Sequence, residues 1–137
     1  MNRRDLHDLS RTRLNEVKAL LRMKYPDGAY NLAGYAVECA LKACIAKTTL
    51  RYDFPDKKKV GDSHTHSLEN LMKLANLEEA RLEQAQKDSV FRTNWDLVKV
   101  WSEQSRYGKH DSTKARALVT AVNDRQHGVM VWIRRRW

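Results

Sequence analysis

The segment WSEQSRYGKHDS, residues 101–112, places Arg106 and His110 four positions apart. Arginine is a permanent cation whose forked donors match a phosphate. Histidine can take and return a proton near neutral pH. Such a pair can cleave RNA without a metal. The imidazole would act on the 2′-hydroxyl or the leaving group, and the guanidinium would stabilise charge on the phosphorane. Tyr107 and Lys109, which lie between them, are candidate binding residues. The plain alternative is that Arg106 pairs with a carboxylate such as Glu38 and that His110 is a turn residue.

A second stretch raises a different question. AYNLAGYAVECALKACIA, residues 29–46, is the most apolar part of a charged chain, with Asn31, Glu38 and Lys42 as its strongly polar residues. It is too polar and too short to span a membrane with ease. Glu38 and Lys42 stand in the favourable order for an i, i+4 pair, worth only about 0.2–0.5 kcal/mol. That is small beside the cost of burying either charge unpaired. Packing explains the apolar residues but not Glu38, whose candidate role is to orient Arg106 across a helix interface, with Lys42 in support.

The remaining chemistry-bearing residues point away from metals and nucleotide loops. Cys39 and Cys44 fall inside the apolar stretch, while His64 and His66 fall in a polar segment. There is no C-x2-C pair and no H-E-x-x-H, so no metal site is expected. Neither a G-x-x-x-x-G-K-[ST] loop nor a G-x-S-x-G elbow occurs, and no cofactor is expected. Buried free thiols suit a reducing compartment, and the start MNRRDLHDLS lacks the apolar core of a signal peptide. A cytoplasmic location is the expectation.

The elements that would position these residues read as helices. Residues 5–24 are amphipathic, with Leu6, Leu9, Val17, Leu20 and Leu21 on one side. Pro26 breaks this helix, and Asp27 can cap the next. Residues 27–48 are apolar nearly all round, the mark of a buried central helix. Residues 49–66 have no clear period, and their Lys57, Lys58 and Lys59 are either solvated or in contact with phosphate. A short helix follows at Leu68, Leu71, Met72 and Ala75, capped by Thr65 or Ser67. Residues 78–107 are helical, with a break at Asp88 and Ser89. Gly108 suits the position just past a helix end, and Asp111 or Ser112 suits the next cap. That leaves a connection of about three residues and antiparallel flanking helices. The last helix carries Ala115, Leu118, Val119, Val122, Val129, Met130 and Ile133 on one side. Its final Arg134, Arg135 and Arg136 complement the helix dipole or form a phosphate-binding tail. The expected fold is all-α: one domain over residues 1–137, an up-and-down antiparallel bundle of four main helices plus one short helix.

The formal charge of +9, from 26 Lys and Arg against 17 Asp and Glu, raises the prospect of a polyanionic partner, nucleic acid first.

Taken in order, AYNLAGYAVECALKACIA, THSLENLMKLA and WSEQSRY resemble the HEPN family, small all-α domains of prokaryotes and eukaryotes. The likeness covers roughly residues 10 to 125. GYAVECALKA is its most specific piece. The resemblance implies a helical bundle that commonly forms a homodimer and works near RNA or nucleotides. Many members are metal-independent endoribonucleases of toxin–antitoxin or defence systems. Others pair with a small nucleotidyltransferase protein, and some are non-catalytic. Catalytic members carry an Arg and a His whose motifs face each other across the dimer. Here only Tyr107, Gly108 and Lys109 intervene, one residue short of the family spacing, and the residue after Arg106 is aromatic. Two readings stay open: an endoribonuclease using Arg106 and His110, and a silent module that binds a nucleotide or partners a minimal nucleotidyltransferase.

Overall fold

The computed structural model describes residues 1–48, 61–62 and 64–137. Helix α1 spans Arg3–Arg22. It begins with a capping box, in which the Asn2 side chain accepts from Asp5 N at 2.9 Å and the Asp5 carboxylate accepts from Asn2 N at 3.1 Å. Its buried stripe is Leu6, Ser10, Leu14 and Val17. The stop comes before Pro26. Lys24 takes a left-handed φ of 64°. Tyr25 N then bonds Leu20 O at 2.8 Å and Lys24 N bonds Leu21 O at 3.2 Å. This paired closure satisfies carbonyls that the helix end leaves open. Lysine occupies the position that usually favours glycine.

Helix α2, Pro26–Thr48, is the centre of the molecule. It packs against α1, α3 (Leu68–Leu74), a 3₁₀ turn at Glu103–Tyr107, α6 (Ser112–Asn123) and α7 (Val129–Arg134). Helices α4 (Glu78–Lys87) and α5 (Ser89–Lys99) complete the order. Among the described residues there is no strand, and seven α-helices are present. Ala29, Ala33, Ala36, Ala40 and Ala43 are wholly buried along α2. Their small side chains let α1 approach closely enough for Ser10 Oγ to donate to Ala36 O at 2.8 Å. Asp27 does not cap α2; its carboxylate accepts from the backbone N of His110.

Several expectations need correction. The helix ends at Lys99, not near residue 107, and Trp101 leaves it to lie on α2. The link to α6 therefore runs over residues 100–111 and contains the 3₁₀ turn, rather than being a three-residue turn. Gly108 ends that turn with an ordinary φ of −92°. The expected last helix is two helices, broken between Asp124 and Gly128. A Cβ at Gly128 would lie 2.3 Å from Asp124 O, so the chain doubles back too closely for any other residue. The break at Asp88 and the caps at Ser67 and Asp111 are as expected.

Asp88 also braces this corner. One carboxylate oxygen accepts from Phe91 N at 3.0 Å and caps α5. The other meets His127 Nδ1 at 2.7 Å. That bond, ahead of the Phe91 amide, holds the Asp88 carboxyl below its usual range. The same bond holds His127 above its usual value.

Two outcomes follow for stability. A Cβ at Gly34 would fall 2.1–2.3 Å from the Trp101 indole. Ala gains roughly 1 kcal/mol over Gly inside a helix, but overpacking costs about 1–3 kcal/mol before any rearrangement. Gly34→Ala is therefore expected to lower stability in urea denaturation, and Gly34→Ala in a Trp101→Leu background to raise it. The His127 contribution is complete below about pH 6.5 and lost as pH rises through its raised folded value. The Asp88 contribution stands above about pH 3.9 and is lost as pH falls through its lowered one. His127→Gln should then depress the melting temperature most between about pH 4 and 6.5, with the difference shrinking in alkaline buffer.

Candidate functional site

Glu38 is the carboxylate at the heart of the structure, with its side chain only 3% exposed. Its position on α2 turns it toward His66, ahead of α3, and toward a pocket that residues of the 3₁₀ turn also line. Both oxygens are used. Oε2 accepts from Lys42 Nζ at 3.3 Å, one turn along the same helix. Oε1 meets His66 Nδ1 at 2.9 Å. The sequence suggested Arg106 as the remote partner; the structure supplies His66.

His66 is placed by the start of α3. Thr65 Oγ1 accepts from Ser67 N at 3.1 Å, and Ser67 Oγ accepts from Asn70 N at 3.3 Å as the helix cap. The imidazole therefore sits just ahead of a fixed helix end whose Leu68, Leu71 and Met72 are wholly buried. Its Nε2 lies 3.2 Å from Glu103 Oε2, on the 3₁₀ turn. The imidazole bridges a buried carboxylate and an outer one, with 43% of its own side chain exposed.

These groups open into a pocket of about 320 Å³ lined by Asn31, Leu32, Tyr35, Glu38, His66, Trp101, Glu103 and Arg106. Trp101 forms its floor by lying against Gly34. Arg106 stands on the rim, exposed, with its guanidinium 4.8 Å from the Tyr107 ring. The pocket thus gathers one arginine, two carboxylates and one imidazole, with Lys42 bonded to the inner carboxylate.

His110 is elsewhere. It is 8% exposed and does not line this pocket. Its Nε2–H donates to Ser105 O at 2.8 Å, and its ring stacks on Tyr30 with centroids 4.0 Å apart. Nδ1 is enclosed with no hydrogen-bond partner among the described residues. With its backbone N–H bound to Asp27, His110 fastens the 100–111 segment to the start of α2. His110 is thus packed into the fold, while Arg106 lines the pocket. Tyr107 and Lys109 are exposed beside Arg106. Lys57, Lys58 and Lys59 lie outside the described residues.

His66 escaped the sequence reading because its spacing matched no ligand motif. The signal was present in two unexplained features: a carboxylate inside an apolar helix, and a histidine set directly before a helix cap.

The cysteines offer no reactive group. Burial pushes both thiols up to about 11, and both are free and buried. Among the described residues no group of three or more His, Cys, Asp or Glu is arranged to hold a metal ion. No described helix is long and apolar enough to cross a membrane. The final arginines divide their roles. Arg136 donates to Trp132 O at 2.8 Å and lies over that indole, as a cation at a helix end should. Burial and then Arg11 hold Arg134 below its usual value.

No family model, no curated protein and no solved structure matches this chain.

Glu38 has charge-assisted bonds to two partners that can both reach water. Its loss should therefore cost less than breaking a fully buried ion pair, about 1–3 kcal/mol rather than more. Glu38→Gln is expected to lower the unfolding free energy measured in urea by that amount while leaving the far-ultraviolet circular dichroism unchanged.

Proposed function

We propose that this chain is a HEPN-like domain that acts on RNA at the Glu38–His66–Glu103–Arg106 pocket, as a homodimer in a cytoplasmic setting. One observation carries the reading. The three separate stretches that resemble the family, 29–46, 65–75 and 101–107, meet in that pocket through Gly34 against Trp101, Glu38 to His66 and His66 to Glu103. Residues remote in sequence that converge on an open, charged hollow are the usual anatomy of a site. The up-and-down order of a HEPN bundle belongs to this reading.

In it, Arg106 contacts phosphate from the rim. Tyr107, 73% exposed, offers a ring face to a base, and Lys109 adds a second cation. The net charge of +9 supplies long-range attraction for the polyanion.

A second reading draws on the surface beside the site. Leu97, Val100 and Tyr107 are all exposed around the segment that carries Arg106. Apolar groups there favour a protein neighbour. In this reading the chain is a silent module whose neighbour is a nucleotidyltransferase-type protein.

The readings separate in a binding experiment. Fluorescence anisotropy with single-stranded RNA should give an affinity that falls with salt. Each lost phosphate contact should reduce the log–log slope by about 0.7 for a single strand. Arg106→Ala should lower affinity about tenfold, equal to about 1.4 kcal/mol, and reduce the slope by one such step. Sedimentation should return twice the 16.0 kDa chain mass. Salt-independent or absent RNA binding would favour the module.

A further inference from the structure

We propose that His66 is the proton-transferring residue of this pocket, with Glu38 as its positioning carboxylate and Glu103 as its proton-accepting counterpart. The inference rests on the reading that RNA is the substrate, and it assigns the reaction to residues that the Arg106–His110 motif does not contain.

The first argument is the gradient of burial along the relay. Glu38 is 3% exposed, His66 43% and Glu103 42%. A buried carboxylate that accepts from one ring N–H fixes the orientation of the ring, and it directs the other nitrogen outward. Here the fixed nitrogen is Nδ1, at 2.9 Å, and the outward one is Nε2. The backbone does the rest: Thr65 and Ser67 lock the residues on either side of the turn into α3.

The second argument concerns the outer contact. Nε2 and the Glu103 carboxylate sit 3.2 Å apart at the pocket mouth, with both side chains open to water. A pocket built only to grip an anion would not keep a carboxylate at its mouth, because like charges repel. A carboxylate beside an imidazole suits acid–base work, where one group gives a proton and the other takes one. The same pocket supplies Arg106 for the phosphate.

The third argument is that the histidine of the Arg106–His110 motif is engaged elsewhere. His110 has its Nε2 engaged to a carbonyl and its Nδ1 enclosed against Tyr30, so neither nitrogen reaches the pocket.

The step balances without a cofactor. RNA enters between Nε2 and Glu103 and replaces their contact. The 2′-hydroxyl gives its proton to the Glu103 carboxylate, and its oxygen bonds to phosphorus. His66 enters the step as the imidazolium, with Nδ1–H on Glu38 and Nε2–H toward the substrate. The bond from phosphorus to the 5′-oxygen breaks, that oxygen takes the Nε2 proton and leaves a neutral imidazole, and the proton on Glu103 then passes to Nε2 to reset the pair. Arg106 stabilises the added charge on the phosphorane. The products are a 2′,3′-cyclic phosphate and a 5′-hydroxyl.

The test uses the purified chain, a random-sequence RNA pool and a chelator. Wild-type protein should yield cyclic phosphate ends, and a 2′-O-methyl pool should remain intact. His66→Ala should lower the melting temperature, because Glu38 loses a partner, and at a temperature where the variant is still folded it should slow single-turnover cleavage by about 10²-fold or more, with RNA affinity nearly unchanged. Added imidazole should restore part of the rate, which a purely structural role would not allow. Glu38→Gln should lower kcat more than it raises KM. His110→Gln should keep cleaving below its melting temperature. Undiminished cleavage by His66→Ala, or a loss that imidazole does not restore, would overturn the assignment. Wild-type protein that binds the pool without cutting it would also overturn the assignment, while the RNA-binding reading would stand. Failure to bind the pool at all would overturn both.

Discussion

A carboxylate removed from water must find compensation, and Glu38 shows how far that requirement reaches. It sits on the most buried helix of the protein, where an unpaired charge would cost several kcal/mol, on the order of a large share of a small domain's stability. Lys42 answers half of it from one turn away. The other half comes from His66, from a different part of the chain. That bond joins α2 to the residue just ahead of the α3 cap, and the far side of the imidazole reaches the 3₁₀ turn. The polar pocket is thus a consequence of satisfying one buried group.

The long elements were legible in the sequence because their periodicity is a local property. The stripe of α1 and the all-round apolar character of α2 follow directly from helical spacing. The break at Asp88 was visible as well, since an aspartate that caps is poorly suited to a helix interior. The break after Asn123 was hidden. Val129, Met130 and Ile133 continue an apolar face that looks in phase with Leu118 and Val122, and only the close approach at Gly128 reveals the turn. Trp101 misled in the same way. It extends the spacing of Trp95 and Val98, yet its indole belongs to α2 rather than to the helix before it.

The site was legible in its parts and not in its assembly. Glu38 stood out because neither packing nor an i, i+4 pair accounts for it. Arg106 stood out by type. Spacing along the chain then joined Arg106 to His110, because sequence distance was the measure at hand. Burial places the two differently. His110 became a strut between Asp27, Ser105 and Tyr30, while His66, weighed in the sequence only as a metal ligand, took the open position. Which of two histidines faces water is decided by the packing of α2 against the 100–111 segment, and that has no local signature.

The contact between Gly34 and Trp101 has an evolutionary meaning. The indole lies on bare backbone, so the distance from α2 to the turn carrying Glu103 and Arg106 is set by the absence of one methyl group. Position 34 cannot gain a side chain by itself. A descendant that enlarges position 34 must shrink or relocate the tryptophan in the same lineage, and in doing so it resizes the mouth of the pocket. Changes in what this hollow admits would then travel as a linked pair of substitutions, one on each side of a helix interface, without touching any charged group.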